Sequence, residues 1–174
     1  MGRRVLPAVP FLVAFVAATA ASGYATASPR ATRVSVTVSL TPDPRHPGHW
    51  CASVVDPREP DGRLTLCQSP REQGRTESIL GVDCPTRRVV LLGLAARHLQ
   101  AVSVIRGHTS DAATLARRKH VTAFALGATL SDFPARLRTR AGSRVRTRSL
   151  RDPNSLCRGH PRVTGVIDAF GGAR

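Results

Sequence analysis

Hydrophobic and polar residues alternate along Arg33-Val-Ser-Val-Thr-Val-Ser-Leu-Thr41, with Val34, Val36, Val38 and Leu40 on one side. That period of two is the signature of a strand with one buried face. The prolines and glycine of Thr41–Gly48 require a loop. Trp50–Val55 reads as a second strand, Asp56–Gly62 as a turn and Arg63–Gln68 as a third strand. Residues 69–83 are polar and irregular and read as a long loop. Val89–Leu94 is an unbroken apolar run, which suits a strand buried on both faces. Leu99–Ile105 and Ala112–Leu115 predict a hairpin around Arg106-Gly107-His108, with a short helix over Ser110–Arg118 as the rival. His120–Leu130 predicts a further apolar strand. Ala135–Arg140 and Arg144–Leu150 predict a last hairpin around Ala141-Gly142-Ser143. Beyond Asp152-Pro153 little pattern remains.

Eight or nine short antiparallel strands separated by turn signals predict an all-β chain, an immunoglobulin-like β-sandwich. One domain is expected over residues 28–168, with a flexible tail at 169–174.

The N-terminus carries a different pattern. Arg3 and Arg4 precede an apolar stretch, Val5–Ala21, and Ala25-Thr26-Ala27 is a small-x-small cleavage site. Residues 1–27 therefore read as a secretory signal peptide. The apolar run is shorter than the ~20 residues a spanning helix needs, and Pro7 and Pro10 interrupt it. Cleavage leaves 147 of the 174 residues, the size of a single domain. No second run is long enough to span a membrane, and no cysteine lies near the cleavage site for lipidation. A secreted or cell-surface protein is expected.

Export changes the meaning of the four cysteines, Cys51, Cys67, Cys84 and Cys157. In an oxidising compartment an even count reads as disulfides, and no C-x-x-C pair suggests zinc. Counting outward from the Asp56–Gly62 turn pairs Val55 with Arg63, Ser53 with Thr65 and Cys51 with Cys67. Cys84 then joins Cys157. Cys67–Cys84 with Cys51–Cys157 is the next arrangement.

Charge then narrows the function. The chain has 26 Lys+Arg against 11 Asp+Glu, a formal net charge of +15, and Lys119 is its one lysine. Loss of Arg3 and Arg4 leaves +13. Arginine and alanine abundance fits a high-GC bacterial genome, which accounts for part of the charge. An acidic partner accounts for it functionally. After cleavage the aromatic residues are Trp50, Phe124, Phe133 and Phe170, too few to build a stacking platform for nucleic acid or a sugar groove. No specific nucleic acid is expected as partner.

The last hairpin concentrates the arginines. A three-residue loop at 141–143 sets Arg140 opposite Arg144, Arg138 opposite Arg146 and Arg136 opposite Arg148. Six guanidinium groups would then share one face, and facing like charges need counter-ions. Guanidinium binds phosphate and carboxylate with two parallel hydrogen bonds. An anionic cell-envelope polymer or lipid surface is the expected partner. The bland alternative is a solvent face that arginine keeps from pairing edge to edge.

Other candidates are weaker. His46 and His49 share a loop without an evident carboxylate or cysteine ligand, so no metal site is expected. His160 follows Cys157, which is better used in a disulfide, and His98, His108 and His120 read as strand-end residues. Asp43, Asp56, Glu59, Asp61 and Asp152 precede proline or glycine and are turn residues. No carboxylate pair, G-x-S-x-G elbow or Gly-rich phosphate loop is present, so neither catalysis nor a cofactor is expected. Leu40-Thr-Pro-Asp-Pro44, His46-Pro47 and Cys51-Ala52 resemble a segment near the first bridge of secreted bacterial subtilisin inhibitors. The likeness covers about a dozen residues, and Pro42 stands where that family has a cysteine, so no reactive-site residue is carried across. A secreted protease inhibitor presenting residues 69–83 is the alternative function, and a small secreted hydrolase ranks third.

Overall fold

A computed structural model describes residues 35–56, 59–68 and 76–170. The predicted signal peptide, Val34 and residues 171–174 lie outside them. The described residues belong to one compact unit.

The strands are β1 (Thr37–Pro42), β2 (Trp50–Asp56), β3 (Glu59–Gln68), β4 (Thr76–Asp83), β5 (Arg88–Ala95) and β6 (Ala101–Arg106). They continue as β7 (Thr109–Ala112), β8 (Thr114–Arg118), β9 (Val121–Thr129), β10 (Arg136–Ala141), β11 (Arg144–Ser149) and β12 (Thr164–Asp168). A 3-10 turn at Leu130–Asp132 follows β9, and a short helix, α1 (Asn154–Gly159), precedes β12. The chain is all-β, as its pattern predicts. Among the described residues twelve strands form three antiparallel sheets in the orders β1-β2-β3, β11-β10-β6-β7 and β12-β4-β5-β9-β8, where two sheets of an immunoglobulin-like sandwich were expected.

The third sheet explains the difference. β5 and β9 are apolar on both faces. Val89, Leu91, Phe124, Leu126 and Ala128 pack against Val102, Val104 and Leu137 of the four-stranded sheet. Leu92, Leu94, Val121, Ala123 and Ala125 pack against Val38, Leu40, Ala52 and Val54 of the three-stranded sheet and against Val36, just before β1. A sheet with two apolar faces must be covered twice, so the five-stranded sheet forms the middle of three layers. The outer sheets keep one face in water. Buried and exposed positions alternate along Thr37–Pro42, as expected for that strand.

Several expected loops are ordered structure. Thr76–Asp83, assigned to the 69–83 loop, is a strand of the central sheet with Ser78, Leu80 and Val82 buried; residues 69–75 lie outside the described residues. Ser110–Arg118 is strand, not helix, and the chain passes from one sheet to another at Ala113. The C-terminal segment, expected to lack pattern, supplies α1 and β12. Ala169 is fully buried and its N–H donates to the Ser78 carbonyl at 2.9 Å. Packing therefore continues past residue 168, where a flexible tail was expected.

The disulfides join Cys51 to Cys67 and Cys84 to Cys157. The first bridges directly opposed residues in the register counted from the turn, with Val55 opposite Arg63 and Ser53 opposite Thr65. The second spans 73 residues and fastens α1 beside the end of β4. A loop of that size is worth roughly 4 kcal/mol in the chain-entropy account.

One contact limits the middle of the core. Gly93 stands opposite Phe124 across β5 and β9, and a Cβ built on Gly93 would come within 2.0 Å of the Phe124 ring. Phe124 is fully buried, so the ring occupies the space that any larger residue at 93 needs. Gly93→Ala is expected to destabilise the fold by about 3 kcal/mol, the upper range for overpacking. In a Phe124→Leu background the same change should have a smaller effect. Denaturant unfolding of the four proteins in this cycle measures the difference; equal effects in both backgrounds would exclude the steric explanation.

Candidate anion-binding site

The register of the arginine hairpin is set by its turn. Gly142 and Ser143 make a two-residue loop, with Gly142 at a φ of 59°. A positive φ at the first central residue and not at the second is the pattern of a type II′ turn, whose twist matches that of the flanking strands. Ala141 consequently faces Arg144, Arg140 faces Val145, Thr139 faces Arg146, Arg138 faces Thr147, Leu137 faces Arg148 and Arg136 faces Ser149. The expected three-residue loop and single face of six arginines are corrected. A shift of one residue turns every side chain of one strand to the other face, so three arginines lie on each side. No arginine directly opposes another, which avoids the like-charge pairs that the expected register would have created.

Arg136, Arg138 and Arg140 project from the outer face of the four-stranded sheet and are exposed. Arg138 and Arg140 lie beside Ser103 and Ala101 of β6. Arg144, Arg146 and Arg148 project from the other face, where β10 contributes the buried Leu137 and Thr139. β11 is the edge strand, and no further strand of its sheet covers these three side chains.

Arg146 and Arg148 line a cavity of 380 Å³. Leu137 and Thr139 line it from β10, Thr76 and Glu77 from the start of β4, Arg97 from the loop after β5, and Phe170 from the segment after β12. The Arg148 guanidinium carbon lies 3.9 Å from the centre of the Phe170 ring. That cation–π contact places Arg148 against a flat apolar wall.

Arg97 is fixed by the loop that carries it. Buried Thr122 accepts from the Leu99 N–H at 2.9 Å and donates to the Arg97 carbonyl at 3.0 Å. Arg117 donates through Nε to the Leu99 carbonyl at 3.1 Å and through Nη2 to the Gln100 carbonyl at 3.0 Å. The Gln100 N–H donates to the Arg140 carbonyl at 2.8 Å. β8, β9 and β10 thus hold residues 97–100 from three directions.

The Arg97 side chain is half-buried. Its Nη2 donates to Thr76 Oγ1 at 3.2 Å, while its buried Nε finds no hydrogen-bond partner among the described residues. Burial, then the charges of Arg146 and Arg144, push Arg97 below the ordinary guanidinium value. Guanidinium remains charged under such pressure, so the groove holds concentrated positive charge. Glu77 is the one carboxylate in the lining and is itself engaged. Arginine forks, threonine hydroxyls and an apolar floor make a site suited to a phosphate, sulfate or carboxylate group.

Two of the six expected arginines thus line the groove, a third contributes its charge, and three face away. Arg97, Thr76, Glu77 and Phe170 were not expected. None carries a sequence signal, because they come from three separate segments that meet the hairpin only in the folded chain. Other acids have structural partners. Arg106 forms ion pairs with both Asp111 and Asp132, and the Thr129 N–H donates to Asp132 at 2.7 Å. Asp83 accepts from Thr86 and Thr164. No family model, curated protein or solved structure matches this chain.

Replacing Arg97 by methionine keeps much of the apolar stem and removes the repulsion. Arg97→Met is expected to unfold at an equal or higher denaturant concentration than wild type at low ionic strength. Added sulfate should stabilise the wild type, which gains a bound anion only when folded, and stabilise the variant much less. Denaturant titrations with and without sulfate check both expectations.

Proposed function

We propose that this chain is an exported, non-catalytic anion-binding domain that holds an acidic cell-envelope component through its arginine groove. The observation that carries the reading is Arg97. A half-buried guanidinium with an unpartnered Nε faces other arginines across a cavity. That is an unfavourable arrangement for the isolated domain, and an anion entering the cavity relieves it by supplying both charge and acceptors. Export is supported by the signal-peptide pattern and by two disulfides, which persist in oxidising compartments. Among the described residues no helix is long and apolar enough to cross a membrane. The absence of catalysis is supported by the employment of Asp83, Asp111 and Asp132 in structural contacts.

The two faces of the hairpin separate specific binding from general charge. The outer face carries Arg136, Arg138 and Arg140 in solvent. Retention of the mature protein on cell-envelope fractions should fall steeply between low and physiological salt. Changing Arg97, Arg146 and Arg148 together to serine should weaken retention at least tenfold. Changing Arg136, Arg138 and Arg140 to serine removes the same formal charge and should weaken it only a few-fold. Equal losses would assign the binding to net charge and overturn the groove as the site.

A further inference from the structure

The loop between β1 and β2 brings together three metal-binding groups that the sequence separates into a turn residue and two histidines. Ligand atoms of Asp43, His46 and His49 all lie within 4.8 Å of one another. His46 Nδ1 is 3.0 Å from Asp43 Oδ2, and the two imidazole rings stack with centroids 5.2 Å apart. The carboxylate whose absence argued against metal is therefore present. Asp43 precedes a proline, as turn residues do, but its side chain also reaches the histidines.

The loop is built to hold this arrangement. The Asp43 N–H donates to the His49 carbonyl at 3.0 Å, and the His49 N–H donates to the His46 carbonyl at 3.0 Å. The Arg45 N–H donates to Asp43 Oδ1 at 2.9 Å. Gly48 takes a φ of 86°, and Pro42, Pro44 and Pro47 each restrict φ. At the base of the loop Pro42 pairs with Trp50 and Thr41 with Cys51, and the Cys51–Cys67 bridge locks Cys51 to β3. Little chain entropy is left to lose when a ligand binds. The Arg45 N–H, then the hydrogen bond to His46, holds the Asp43 carboxyl below the ordinary carboxylate value.

We propose that Asp43, His46 and His49 form a binding site for one borderline divalent transition-metal ion, of which Cu²⁺ and Zn²⁺ are the probes. Two imidazole nitrogens and one carboxylate oxygen suit this class, whereas Ca²⁺ and Mg²⁺ take oxygen ligands. A metal–nitrogen bond is about 2.0–2.1 Å, so the donors must draw together around the ion. His46 is largely exposed, with 63% of its side chain accessible, and has room to turn toward it. Three protein ligands leave at least one position for water or a further ligand. The neighbouring cysteines are oxidised to a disulfide and contribute no thiolate.

The single tryptophan of the chain, Trp50, follows His49 and reports on the site through quenching by paramagnetic Cu²⁺. Titration of the untagged mature protein with Cu²⁺ should quench Trp50 emission saturably at one equivalent, EDTA should restore it, and Zn²⁺ added beforehand should raise the half-quenching concentration. His46→Gln and His49→Gln should each raise the half-quenching concentration at least tenfold, and Asp43→Asn should raise it less. His108→Gln and His160→Gln should leave it unchanged. Unsaturable quenching in wild type overturns the site, as does an unchanged titration in the His46→Gln/His49→Gln protein. Asp43 also organises the loop, so the histidine variants decide the outcome, with unchanged metal-free Trp50 emission as the folding control.

Discussion

The architecture depends on a sheet that cannot face water on either side. β5 and β9 place apolar residues on both surfaces, and each surface has to be removed from solvent by a separate layer. The three-stranded sheet covers one and the four-stranded sheet the other. This divides the work among the remaining strands. An outer strand needs only one apolar face, which leaves its second face free for polar and charged residues. The alternating arginines of β10 exist on those terms: Leu137 and Thr139 point into the protein while Arg136, Arg138 and Arg140 point out.

Charge imposes the second constraint. With 26 basic and 11 acidic residues, basic groups outnumber acids by more than two to one, and where the acids sit decides what the arginines do. Asp111 and Asp132 converge on Arg106 and tie the β6–β7 hairpin to the 3-10 turn after β9. Arg117 is used as a donor to carbonyls of the loop carrying Arg97. The groove is where this supply of partners runs short: Arg97 meets arginines on one side and a threonine on the other. Low counter-charge, rigid backbone and an open cavity coincide there, which separates the groove from the solvated row on the outer face.

Much of the fold was legible because its signals are local. The alternation of β1, the apolar runs of β5 and β9, and the count across the β2–β3 turn that pairs Cys51 with Cys67 each lie within one or two neighbouring segments. β4 escaped notice because its alternation, Ser78-Leu80-Val82, is weak and includes Glu77 and Gly81 on the opposite face. β12 is a short edge strand containing Gly165. The site was legible only in part. Repeated arginines marked the hairpin, but their distribution depends on whether its loop holds two or three residues, and Gly142 satisfies either. Arg97 and Phe170 are isolated in the chain and join the site through tertiary packing. Asp43 has a sufficient local explanation as a turn residue, and that explanation hid its second contact.

The two-residue turn at Gly142-Ser143 gives the hairpin an unusual relation between gene and surface. Strand faces count residues by parity, so a single inserted codon at the tip would transfer Arg144, Arg146 and Arg148 from one side of the sheet to the other. Every arginine would be preserved and, for an uncharged inserted residue, so would the formal net charge. The groove would lose its hairpin guanidinium groups and the opposite surface would gain them. Among homologous chains, the length of this loop would therefore distinguish two charge distributions that comparison of residue identities alone would score as the same.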